Sequence, residues 1–160
     1  MLKSNFSGGR AIEKVVLSVG LSEHRQKEES VNQIMADLAK IAAQKPVKTR
    51  AKKAISTFKI RKGDSVGLMV TLRGQRMLDF LEKLVKIVLP RLKGFRGLSL
   101  KSFDQQGNFH LGFREQVLFP EIEPEKTSLI FGLEVSIKTR AKNPDEGRLA
   151  LEELGFLFER

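Results

Sequence analysis

The sequence contains no cysteine, no tryptophan and no tyrosine, and only two histidines. The missing cysteines exclude disulfides and thiolate metal sites, and they permit a reducing compartment. His24 and His110 have no ligand-spaced partners, so neither a metal site nor a histidine-based triad has support in the sequence. The phosphate-cradling pattern GxxxxGKS/T is absent, although short glycine-rich pieces ("SGGR", "RKGDSVG") occur. No enzymatic activity, cofactor or metal is expected. No apolar run approaches the roughly 18 residues of a membrane span. The start, "MLKSNFSGGRAIEKVV", lacks the apolar stretch of a signal peptide. The expectation is a soluble, cytoplasmic protein with no membrane partner.

What the sequence has in excess is positive charge. The formal net charge is +10 in 160 residues. Residues 1–119 carry 23 Lys/Arg against 10 Asp/Glu, whereas residues 120–160 carry 6 against 9. Such self-repulsion is best understood if the basic part meets a polyanion, of which nucleic acid is the commonest. The cations peak in "QKPVKTRAKKAISTFKIRKG", residues 44–63, which holds eight cations and no acid. A plain surface loop would mix acids among them. Phosphate contact explains their absence, because each Lys or Arg placed on a phosphate releases counterions. Within this stretch Phe58 is placed either to stack on a base or to anchor the loop on the protein.

The apolar content of 41% suits one ordinary domain. "IEKVVLSVG" from Ile12 alternates as a strand, with Val15, Leu17 and Val19 on one face and Lys14, Val16 and Ser18 on the other. A helix is predicted over about 28–43 from Val31, Ile34, Met35, Leu38, Ile41 and Ala42, ended by Pro46. A short strand near 47–50 precedes a basic loop that is expected to be mobile. "VGLMVTLRG" reads as a strand with Gly67, Met69, Thr71 and Arg73 on one face. A second helix is predicted over about 75–89, stopped by Pro90, with Asp79–Lys83 and Glu82–Lys86 as exposed ion pairs. "GLSLKSF" and "NFHLGFREQVLF" flank the turn signal "DQQGN" and suggest a hairpin. "GLEVSIKTRA" is a further strand. Asn143, Pro144 and Glu146 then start a helix that ends at Gly155. The fold class is therefore α+β: a mainly antiparallel sheet with helices packed on one face. The other face stays open, carrying the donors Lys14, Ser18, Thr71, Arg73 and Lys138 as an RNA platform. The cluster Glu121, Glu123 and Glu125 in "FPEIEPE" reads as a solvated loop or a protein contact rather than a catalytic site.

Four stretches also carry a resemblance. They are "AQKPVKTRAKKAISTFKIRKG", "VTLRG", "FRGLSLKSFDQQGNFHLGFREQVLFPEI" and "GLEVSIKTRA" with "LEELGFLF". Together they are similar to the bacterial-type large-subunit ribosomal protein L-five family, over about Ile12 to Phe158. The resemblance implies a non-enzymatic protein of the large ribosomal subunit, in bacterial or organellar ribosomes. Its implied partners are 5S rRNA in the central protuberance, large-subunit rRNA, the P-site tRNA and a protein of the small-subunit head. The implied 5S rRNA contacts are Lys14, Ser18, Gln44, Lys45, Thr71 and Arg73. The implied tRNA-binding loop projects over residues 51–65 and uses Lys52, Lys53, Phe58, Lys59, Arg61 and Lys62. Ser18 stands where the family usually has an RNA-contacting asparagine, so a weaker contact is expected there. The family usually has a helix before the first strand, and this chain starts almost at the strand. The contact with the small-subunit head is expected in the later, more acidic part of the chain.

Overall fold

The computed structural model describes residues 10–22 and 24–160. Expectations about the segment preceding the first strand fall on residues 1–9, outside that description. Five strands form one antiparallel sheet: β1 (Ile12–Gly20), β2 (Val47–Arg50), β3 (Ser65–Leu72), β4 (Phe109–Phe113) and β5 (Leu133–Thr139), in spatial order β2-β3-β1-β5-β4. Three α-helices accompany them: α1 (Glu28–Ala42), α2 (Gly74–Lys83) and α3 (Pro144–Glu153).

The sheet has one buried face because its strands alternate. Val15, Leu17 and Val19 of β1 lie in the core with Leu68, Val70 and Leu72 of β3 and Leu133, Val135 and Ile137 of β5. The register places Leu17 opposite Val70 on one side and Val135 on the other. Each such apolar side chain contributes about 1.5–3 kcal/mol when fully buried. α1 covers this face with Val31, Ile34, Leu38, Ile41 and Ala42, the residues its periodicity marks. Its C-terminus turns on Ala43, which takes a left-handed conformation (φ 53°) without the glycine that usually occupies such a cap.

Two sequence expectations are corrected here. The second helix does not run regularly to Pro90. After Lys83 it widens into one π-helical turn over Leu84–Val88, and a 3₁₀ turn over Leu89–Arg91 follows. Pro90 sits inside that last turn rather than beyond it; it has no N–H to give the carbonyl of Lys86, so the regular ladder ends earlier. The "GLSLKSF" segment also does not form the predicted hairpin strand. It makes a 3₁₀ turn over Leu100–Ser102, and only Phe103 bridges to Phe109. β4 pairs instead with β5, through Phe109↔Ile137 and Phe113↔Leu133. The phenyl rings explain the change: Phe103, Phe109 and Phe158 pack at 4.8–5.6 Å between centroids, closing the core at the chain's C-terminal end.

Lys83 is also placed differently from its expected exposed pairing with Asp79. Asp79 accepts from Gln75 instead. The Lys83 side chain is 16% exposed, and Nζ donates to Ile41 O at 2.7 Å and to Glu121 Oε1 at 2.6 Å. It also lies over the rings of Phe80 and Phe119, at 5.2 and 5.8 Å from their centroids. One ammonium thus satisfies a carbonyl at the end of α1 and ties α2 to the segment after β4. The expected pair Glu82–Lys86 is present at 2.6 Å. A second link is buried outright. Gln116 Nε2 donates to Leu129 O (2.6 Å) and, more weakly, to Asp37 Oδ2 (3.4 Å), while Phe131 N donates to Gln116 Oε1 (3.0 Å). Gln116 is 0% exposed and Asp37 2%, so every donor and acceptor there depends on these partners. Gln116→Leu leaves the Phe131 N–H and the Leu129 carbonyl unsatisfied and is expected to destabilise the fold by about 2–3 kcal/mol. Urea unfolding of the variant checks this; a midpoint unchanged from wild type would contradict the assignment.

Candidate nucleic-acid interface

On the open face, side chains fall into cross-strand rows: Lys14 with Lys138, Val16 with Thr71 and Ser136, Ser18 with Met69 and Glu134, and Gly20 with Gly67. Val47 and Thr49 extend the rows onto β2, opposite Met69 and Gly67. The strands run antiparallel, so the start of β1, the start of β2 and the ends of β3 and β5 share one end of the sheet. The α1–β2 turn joins this end. Gln44 Nε2 donates to Thr71 O at 3.0 Å, and Arg76 Nη1 donates to Gln44 Oε1 at 3.3 Å. Lys45 and Arg73 are exposed beside them, Arg73 in extended conformation just before α2. Lys14, Gln44, Lys45, Thr71 and Arg73 therefore gather at one end. Ser18 lies one row further along, flanked by the apolar Met69 and the acidic Glu134.

Sequence reasoning missed three features of this face. Arg76 belongs to the cationic end, but its link to Gln44 spans 32 residues and no local pattern announces it. Glu13 approaches Lys138 (3.9 Å), tempering that cation. The β4–β5 corner is acidic rather than basic. There His110 Nδ1 lies 3.0 Å from Ser136 Oγ and 3.7 Å from Glu134, and Nε2 lies 3.4 Å from Asp104. Among the described residues, no group of three or more His, Cys, Asp or Glu is arranged to hold a metal ion.

The basic loop folds back on itself as a small hairpin. At its base Ala51 N donates to Asp64 O (2.8 Å) and Gly63 N to Ala51 O (2.9 Å). Nearer the tip, Ile55 and Ile60 exchange both backbone bonds, at 2.9 and 3.0 Å. A 3₁₀ turn over Ser56–Phe58 and Lys59 in the left-handed region (φ 54°) close the tip. Asp64 Oδ2 accepts from Arg61 N at 2.8 Å. Lys52, Lys53, Lys59, Arg61 and Lys62 are exposed, and none forms an ion pair among the described residues. The Phe58 side chain lies outside the described structure.

The hairpin leaves the sheet at the opposite end from Gln44, Thr71 and Arg73. β3 spans eight residues between the two, a separation of about 24 Å at the rise of an extended strand. The molecule thus presents two cationic regions on one rigid sheet.

Fold and surface together define an α+β protein with one open sheet face rimmed by cations at both ends. Comparison with known proteins gives the family. Residues 11–61 match the family described as "Ribosomal protein L5", and residues 65–158 match the model of the same ribosomal family's C-terminus. The large ribosomal subunit protein uL5 of Symbiobacterium thermophilum is 52% identical over 147 residues, covering 92% of this chain and 82% of that protein. The uL5 protein of a Roseiflexus species is 51% identical with the same coverage. That of Trichormus variabilis is 52% identical over 145 residues, 91% of this chain and 80% of its own. The chain belongs to the ribosomal protein L5 family. No helix among the described residues is long and apolar enough to cross a membrane.

The acidic corner gives a pH test. Slight burial pushes the Asp104 carboxyl up, but donors from Asn108, His110 and Gln106 outweigh it and hold the group below its ordinary value. A carboxyl lowered by folding stabilises above its unfolded pKa and loses that contribution as pH falls through the folded value. The stability difference between wild type and Asp104→Asn is therefore expected to shrink as pH falls below about 4. Thermal unfolding over the acid limb checks the sign; a difference that grew there would contradict it.

Proposed function

We propose that this chain is a structural component of the large ribosomal subunit, with no catalytic role. The end of the sheet formed by Lys14, Gln44, Lys45, Thr71 and Arg73 holds 5S rRNA and fixes it in the central protuberance. The hairpin over residues 51–64 reaches the P-site tRNA with Lys52, Lys53, Lys59, Arg61 and Lys62. Further contacts join the protein to large-subunit rRNA. A small-subunit head protein meets the later, more acidic part of the chain. The observation that carries this reading is the separation of the two cationic regions along β3. Two clusters about 24 Å apart on a stiff strand suit two different RNA ligands better than one continuous footprint. Family membership supports the same assignment, because the named relatives are large ribosomal subunit proteins.

Ser18 is the weakest member of the 5S rRNA set. Its hydroxyl has one donor and short reach, and its neighbours Met69 and Glu134 offer a phosphate nothing. Arg73 is the strongest, being exposed and outside the core, with a planar fork suited to phosphate or base edges. Arg73→Ala is expected to weaken 5S rRNA binding by about 1–3 kcal/mol with little change in melting temperature. Filter binding and a thermal melt on the same preparation check it; unchanged affinity removes Arg73 from the site.

The hairpin separates the two roles. Replacing Lys59, Arg61 and Lys62 with alanine is expected to leave 5S rRNA affinity nearly intact while ribosomes carrying the variant hold P-site tRNA less firmly. The salt dependence of 5S rRNA binding decides between one footprint and two. A slope flattened by about two to three units would put the hairpin inside the 5S rRNA footprint and overturn the division.

A further inference from the structure

A cation outside the basic hairpin touches its tip. Arg25 lies in the turn between β1 and α1, and its Nη2 donates to the backbone oxygen of Lys59 at 3.1 Å, across 34 residues. The turn that carries it is itself well held. His24 N and Arg25 N both donate to Leu21 O, at 2.7 and 2.9 Å, and Lys27 N donates to His24 O at 2.9 Å. Leu21 N in turn donates to Val66 O at 3.0 Å, which fastens the turn to β3 just beyond the hairpin's return leg. Leu21 is fully buried. Arg25 is therefore tied through its own backbone N–H to the buried Leu21.

The contact falls where the hairpin most needs support. Lys59 is a non-glycine residue in the left-handed region, a conformation that disfavours most side chains and persists when its surroundings hold it. Inside the hairpin, the described residues hold the tip through the Ile55–Ile60 pair and the Lys59 N to Ser56 O bond (3.1 Å). A guanidinium bond to the Lys59 carbonyl adds a tie to the body of the protein. Arg25, Gln26, Ser56, Lys59, Arg61 and Asp64 line the open cleft between turn and hairpin. Among the described lining residues, Arg25, Lys59 and Arg61 outnumber the one carboxylate, Asp64, whose Oδ2 accepts from Arg61 N, so this lining favours an anion.

We propose that Arg25 is a positioning residue for RNA binding by the hairpin: it braces the tip so that Lys59 and Arg61 face one phosphodiester along this cleft. The idea rests on the tRNA-binding role proposed above. It adds that the competence of the hairpin is set from the β1–α1 turn, by a residue that acts on the backbone of Lys59.

The test uses the full chain, fluorescein-labelled tRNA and two readouts. The first is amide hydrogen exchange in the free protein. Arg25→Ala is expected to speed exchange at Ile55 and Ile60 about tenfold, with an unchanged melting temperature. Arg25→Lys, which still offers a donor, is expected to restore most of the protection. The second readout is tRNA affinity against salt. A positioning residue lowers affinity, here by about three- to tenfold, and leaves the slope unchanged; a direct phosphate contact flattens the slope by about one unit. Unchanged exchange in Arg25→Ala, or a slope reduced by a full unit, would overturn the brace. The Lys59, Arg61 and Lys62 triple-alanine variant serves as reference. If that variant binds tRNA as wild type does, the tRNA-binding reading of the hairpin fails. Exchange at Ile55 and Ile60 then judges the brace alone, accelerated exchange supporting it and unchanged exchange refuting it.

Discussion

Everything in this molecule depends on the two-residue alternation of β1. This strand occupies the centre of the sheet and is hydrogen-bonded on both sides, to β3 and to β5. Its inward residues Val15, Leu17 and Val19 are almost wholly buried. A slip of one residue in either ladder would drive Lys14 and Ser18 into the core and expose the apolar set. The register is thus fixed by burial, and the open face follows from it. The presence of Thr71 and Lys138 on the same surface as Lys14 is a consequence of core packing, requiring no separate device.

The antiparallel order then converts that face into two ends. The α1–β2 turn and the β3–α2 junction come together at one end, where Gln44, Thr71 and Arg76 are joined by side-chain hydrogen bonds. The β2–β3 connection leaves at the other. α1 is held against α2 by the Lys83 ammonium at Ile41 O, which keeps the turn bearing Gln44 and Lys45 in place. Packing on the covered face therefore orients polar groups on the open one, linking core energetics to the arrangement of the open surface.

Much of this is legible in the sequence, because β1, β3 and β5 alternate cleanly and α1 has one apolar stripe. The boundaries of β1, β2 and α1 fall within a residue of the periodicity reading. The failures have a common cause. "GLSLKSF" alternates like a strand, yet Leu98 and Phe103 are used to cover the core from a turn, with Leu98 bridged to Phe158 near the chain's end. Lys83 has the right spacing for Asp79, yet a carbonyl, a carboxylate and two rings contributed by other segments hold it better. The candidate site divides in the same way. Its residue types stand out in the motifs, and the gathering of Gln44 with Thr71 was implied by resemblance. Arg76, Arg25 and the pairing of His110 with Ser136 are placed by contacts 26–34 residues apart, which no local pattern contains.

The edge strands have a further consequence. An open sheet ends in rows of unpaired backbone groups, a template for pairing with another copy. Here one edge is β2, only four residues long, carrying Lys48 and Arg50 and continuing into the lysine-rich hairpin. Two such edges brought together would set cation against cation. The cations of this edge thus guard the chain against aggregating through its own sheet.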